Sequence, residues 1–81
     1  MAQPSPTYSG TKELVSLGKA VRELRLEKGW SQEAFADYSG IDRSYIGGIE
    51  RGEHNLAHIN LIKIANTLDI KAAELLAKAK L

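Results

Sequence analysis

The sequence predicts an all-α fold, a compact five-helix bundle in one domain. Three observations predict it. Apolar residues recur three and four apart along most of the chain, the spacing of one helix face. Residues suited to helix starts, and glycines suited to helix ends, punctuate that pattern at short intervals. Finally, 81 residues bury only about 60–65% of the unfolded surface, for which a small helical bundle is the economical solution.

Residues 1–11 read as a disordered N-terminal tail. MAQPSPTYSG holds two prolines, a glycine and small polar residues, too little to offset the entropy of ordering. A minor-groove arm is the alternative, but such arms use Arg or Lys, and none precedes Lys12. Residues 12–81 form the single domain. Thr11 can cap a first helix, in which Leu14, Leu17, Val21, Leu24 and Leu26 line one side and Lys19, Arg22, Glu23 and Glu27 the other. Gly29 stops it. Gly18 is a weak point inside, costing about 1 kcal/mol relative to Ala. Trp30 is expected to pack between helices.

Ser31 is a good N-cap for a second helix carrying Ala34, Phe35 and Tyr38 at helical spacing. Gly40 closes it, where a left-handed residue is cheapest. Ile41 is the apolar residue of a turn, and Asp42 caps a third helix with Ile46 and Ile49 on one face. Arg51-Gly52 gives that helix a basic last turn and a glycine stop. Beyond a loop at Glu53-His54-Asn55, the residues Ile59, Leu61, Ile62, Ile64, Ala65 and Leu68 describe a buried fourth helix. Asp69-Ile70 connects it to a fifth over residues 71–80, with Ala72, Leu75, Leu76 and Ala79 on its apolar side.

Composition excludes several function classes. No cysteine is present, so neither a disulfide framework nor a Cys-based zinc site is available. No apolar run approaches the roughly 18 residues of a membrane helix, and the first residues lack the apolar core of a signal peptide. A cytoplasmic protein with no membrane partner is expected. Net charge is only +1, and the first 40 residues balance five basic against five acidic groups while the rest carry six and five. That argues against a non-specific nucleic-acid coat, which would be strongly basic, and leaves room for a few locally placed cations. His54 and His58 stand four apart, but no third ligand completes a metal site. Phosphate loop, nucleophile elbow and acid–base dyad are all missing. The expectation is therefore no enzyme, no cofactor, no metal and no small-molecule ligand.

Two capped helices separated by a short turn, over Ser31 to Gly52, are the signature of a helix-turn-helix. That tract resembles the phage-repressor-like, or xenobiotic-response-element (XRE), family of transcriptional regulators. The matching pieces are Ser31-Gln32-Glu33, Phe35-Ala36, Gly40-Ile41, Ile46 and Ile49-Glu50-Arg51-Gly52. Upstream the match takes in Leu24-Arg25-Leu26-Glu27-Lys28-Gly29-Trp30, and downstream Asn55, Asn60-Leu61, Ile64-Ala65 and Leu68. Asp42-Arg43-Ser44-Tyr45-Ile46-Gly47 looks most like the controller proteins of restriction–modification systems. Prophage regulators share similar tracts. The resemblance implies a lambda-repressor-like DNA-binding domain that binds a double-stranded operator, as a repressor or autoregulator, with residues 42–51 as recognition helix in the major groove.

Arg43 is the leading base-reading candidate, because N-terminal residues of a recognition helix meet base edges. Its guanidinium can donate twice to guanine, for about 1–3 kcal/mol of discrimination. Ser44 beside it can bond a base edge or a phosphate. Gly47 and Gly48 occupy positions that in the family often carry base-reading side chains; they imply close approach of the helix backbone to DNA, or else close helix packing or tolerated drift. Tyr45 is assigned to phosphate bonding or packing ahead of base reading. By resemblance, Gln32 bonds a phosphate and braces the recognition helix, while Arg51 and Asn55 face phosphates. His54 and Lys63 are weaker phosphate candidates. The resemblance also implies a structural salt bridge between Arg25 and Glu50. Ala57, Leu56 and Lys71 depart from the family pattern at helix starts.

A single module of this charge should bind weakly, and such regulators dimerise to place two recognition helices about 34 Å apart on a palindromic site. Ile70, Leu75, Leu76 and Leu81 are the candidate homodimer interface, with Leu75 favoured inward and some of Leu76, Ala79 and Leu81 toward the partner. Alternative functions are an antitoxin that also holds a toxin, and a helical interaction module that binds no DNA.

Overall fold

The structure is a computed structural model that describes residues 3–81. Its five helices are α1 (Lys12–Glu27), α2 (Gln32–Ser39), α3 (Arg43–Glu50), α4 (His58–Thr67) and α5 (Ala72–Lys78), with no strand among the described residues. The starts follow local chemistry. Thr11 and Ser31 each accept from the backbone N–H three residues on, at Leu14 and Ala34, satisfying a donor the helix leaves free. Gly29, Gly40 and Gly52 take φ of 77°, 71° and 78°, so the first three helices all end in the left-handed region.

Other ends differ from expectation. Asp42 stands at the start of α3, but its carboxylate accepts from the Ser44 hydroxyl, and no side-chain cap bond to the backbone forms. Lys71 leaves α5 to be capped from within, with Glu74 accepting from the Lys71 N–H at 3.0 Å. That last helix stops at Lys78, two residues earlier than predicted, before Lys80 adopts a positive φ.

The core is one cluster. Among the described residues, Val21 of α1, Phe35 of α2, Ile46 of α3, Ile64 of α4, Leu68 just past its end and Leu75 of α5 are its largest fully buried side chains. Helix α1 packs on α3 and α5, α2 on α3 and α4, and α4 on α5. Trp30 lies half-buried between α1 and α2, its ring 6.1 Å from Phe35 and 4.9 Å from Tyr38. Two predicted core positions are instead on the surface. Ile59 is 60% exposed, like Ala57 and His58 at the start of α4, and Leu26 is 50% exposed on the outer side of α1.

Gly18 is explained by its neighbour. A β-carbon there would sit 2.7 Å from the Glu50 carbonyl oxygen and closer still to that of Ile49. The C-terminal turn of α3 thus presses directly on α1, and the helix tolerates the roughly 1 kcal/mol cost of glycine to allow it.

The predicted tail of residues 1–11 includes Met1 and Ala2, which lie outside the described residues. From residue 3 onward this segment lies against the domain. The Ser5 N–H donates to the Glu53 carbonyl at 2.7 Å and the Gly10 N–H to the Gly52 carbonyl at 2.8 Å.

Candidate nucleic-acid interface

The C-terminal end of α3 is held by a buried ionic clamp. Arg25 Nε donates to Glu50 Oε2 at 2.7 Å, and Nη2 to Oε1 at 3.0 Å. Its remaining terminal nitrogen, Nη1, donates to the Trp30 carbonyl at 2.8 Å. Gln32 Nε2 adds a bond to Glu50 Oε1 at 3.0 Å, tying the start of α2 to the end of α3. Side-chain exposure is 8% for Arg25 and 3% for Glu50. The hydrogen bond to Glu50 raises the Arg25 pKa above its ordinary value. Among the described residues no buried side-chain nitrogen or oxygen lacks a partner, which a buried ion pair requires.

That clamp leaves the N-terminal tip of α3 free. Arg43 is 60% exposed along its side chain and lies 3.7 Å from Glu33 of α2, an exposed pair worth little in water. Arg43, Ser44 and Gly47 share one shallow cleft with Gln32 and Arg51. Pro4 and Glu53 form part of its wall. Thus three of the four proposed base-reading positions and two of the four proposed phosphate positions lie together.

The others lie apart. Tyr45 sits on the opposite flank, beside Asn60 and Lys63 of α4. Asn55 is exposed next to Tyr8, Thr11 and Glu13, near the start of α1. Gly48 faces inward: a β-carbon there would stand 2.6 Å from Cδ2 of the His54 ring. Its position is covered by the protein's own imidazole, carried on a loop and not on a neighbouring helix, so neither close approach to DNA nor close helix packing describes it. His54 is correspondingly 5% exposed, stacked on Tyr45 at 4.3 Å, and is not a free phosphate contact.

Charge around the cleft is partly committed. Arg51 bonds Glu53 through Nε at 2.7 Å and Nη2 at 3.2 Å. This pair pushes the Arg51 pKa up and holds the Glu53 carboxyl below the ordinary glutamate range. The hydroxyl of Ser44 likewise holds Asp42 below its ordinary value. Glu33, Glu53 and the inward His54 are the site's neighbours that spacing did not reveal. A charge two residues beyond Arg51 was the one available signal for Glu53.

On the predicted dimer face, Leu75 has no exposure and sits inward as favoured, so it leaves the interface, and Ala79, offered toward the partner, is 7% exposed and belongs to the monomer core as well. Ile70 and Leu76 are half-buried against the core and Leu81 is 53% exposed. No group of metal-binding side chains occurs among the described residues, and no helix is long and apolar enough to cross a membrane.

Residues 21–75 match the family model described as helix-turn-helix. A hypothetical transcription factor of Neisseria meningitidis is 43% identical over 56 residues, 69% of this chain; the match spans 53% of that relative, about half its length. The control protein C.MunI of a Mycoplasma species is 40% identical, over 75% of this chain and 84% of its own. Among solved structures, the restriction–modification controller protein C.AhdI from Aeromonas hydrophila superposes with a TM-score of 0.75 and 52% identity, over 78% of this chain and 96% of its own.

Proposed function

The chain belongs to the helix-turn-helix family of phage-repressor-like transcriptional regulators, and from that premise we propose that it reads a DNA operator through the N-terminal tip of α3. The protein is a DNA-binding regulator. The observation that carries the finer reading is the exposure of Arg43 on a helix whose other end is clamped by Arg25, Glu50 and Gln32. A rigid rod with a free guanidinium at its tip suits guanine recognition in the major groove. Ser44 adds a hydroxyl beside it, while Gly47, buried in α3, leaves the space the Arg51 guanidinium occupies, 3.1 Å from an ideal β-carbon. Gln32 keeps one amide hydrogen for a phosphate beside the free N–H groups that begin α2. Arg51, Tyr45 and Asn55 supply further backbone contacts, which orient the protein without specifying sequence.

The working form is a cytoplasmic homodimer on a palindromic site, joined through Ile70, Leu76 and Leu81. The role is that of a repressor or autoregulator, and likeness to the C.MunI and C.AhdI controllers favours control of a restriction–modification system. Selection of bound sites from random duplexes tests this. A palindrome with a fixed half-site interval is the expected product; recovery of unrelated sequences contradicts the reading.

A further inference from the structure

Gly48 lies in the interior of α3, where glycine costs about 1 kcal/mol relative to alanine, and no close backbone approach from another helix explains it. What fills the space of its missing side chain is an imidazole. The His54 ring occupies the position a residue-48 side chain would take, with Cδ2 2.6 Å and Cε1 3.3 Å from an ideal β-carbon. The loop that carries it is tied down from both sides: the Glu53 N–H donates to the Gly48 carbonyl at 2.9 Å, and the Glu53 carbonyl accepts from Ser5 at 2.7 Å. The ring's face lies against Tyr45, with centroids 4.3 Å apart and planes 24° from parallel.

Tyr45 and Gly48 are three apart, hence on the same side of the helix. Tyr45 is half-buried with one side against the core, so the imidazole stacked on its ring limits the rotamers that remain, and fixing it in advance lowers the cost of using it in binding. Its phenol is a polar group on an apolar ring, suited to a phosphate or a base edge. It lies on the flank shared with Asn60 and Lys63, away from the cleft of Arg43.

We propose that His54 is a positioning residue for DNA recognition: seated in the hollow over Gly48, it holds Tyr45 in one orientation toward the duplex. This rests on the DNA-reading function argued above. The role differs from that of a phosphate contact, since the imidazole itself is buried.

The test uses the full chain, a duplex recovered by site selection and an unrelated duplex of equal length, with affinity read by fluorescence anisotropy. His54→Phe and His54→Gln both refill the hollow, but only phenylalanine restores a flat ring against Tyr45. Expected results are operator preference within about twofold of wild type for Phe and about tenfold lower for Gln, the scale of one well-placed contact. In a Tyr45→Ala background the two His54 variants should bind alike. Wild-type preference in His54→Gln overturns the proposal, as does a Phe–Gln difference that persists without Tyr45. Failure of the His54 role alone leaves wild-type site selection intact, whereas loss of that selection overturns the DNA reading as well.

Discussion

Arg25 of α1 and Glu50 of α3 meet in a two-bond clamp at 2.7 and 3.0 Å, across a separation of 25 residues in the chain. Removing one partner strands a buried charge. Arg25→Ala should therefore lower stability by about 3–5 kcal/mol, read as a shift in the urea midpoint. Arg25→Met with Glu50→Leu should recover much of the loss, because a packed apolar pair has no charge to desolvate. The double variant should nonetheless bind DNA more weakly, since Gln32 loses its acceptor on α3.

Gly18→Ala tests the close crossing of α1 and α3. Helix propensity alone predicts a gain of about 1 kcal/mol. With two carbonyl oxygens of α3 within 2.7 Å of the new β-carbon, the helices must separate, and a loss of about 1–3 kcal/mol is expected. Equilibrium denaturation decides the sign.

If Arg51 meets a phosphate as proposed, Glu53, which it bonds in the free protein, competes with DNA for it. Replacing Glu53 by Gln frees the guanidinium, so affinity should rise on any sequence and the slope of log affinity against log salt should steepen by about 0.9, one extra phosphate. The same pair fixes a pH dependence. Because the folded Glu53 carboxyl titrates below its unfolded value, its stabilising effect is full above the unfolded value and is lost as pH falls through the folded one. Titration by NMR should place the Glu53 midpoint below the ordinary glutamate value, and Arg51→Ala should return it there.

At the C-terminal end, Leu75 and Leu81 should behave differently. Leu75→Ala empties a fully buried site and should cost about 2–5 kcal/mol. Leu81→Asp, on an exposed residue, should leave the monomer folded and weaken self-association in sedimentation equilibrium.

Much of this fold was legible because its signals are local. Thr11 and Ser31 announce helix starts, Gly29, Gly40 and Gly52 announce ends, and three-to-four spacing marks Leu17, Val21, Ile46 and Ile49 as core. The exposed tip at Arg43 followed from the motif. What could not be read depends on partners distant in sequence. Gly18 alone looks like a flaw in a helix; only the carbonyls of α3 explain it. Gly48 and His54 are individually an odd glycine and a loop histidine, and their fit exists only in three dimensions. Ile59 carries the right spacing for burial, but spacing cannot tell that residues 57–59 at the start of α4 are exposed. Ala79 reads as a partner-facing candidate beside Leu81, yet it is buried in the core, and spacing along so short a helix does not separate the two.

The central claim is that Arg43 reads a base from the tip of a braced helix. The most direct measurement is the affinity of Arg43→Ala for the selected operator and for an unrelated duplex at one salt concentration. A loss of about 1–3 kcal/mol on the operator, with a much smaller change on the unrelated duplex and relaxed preference at one position of each half-site, is the predicted result. Equal losses on both duplexes would make Arg43 a phosphate contact, and unchanged operator binding would remove it from the interface; either contradicts the account.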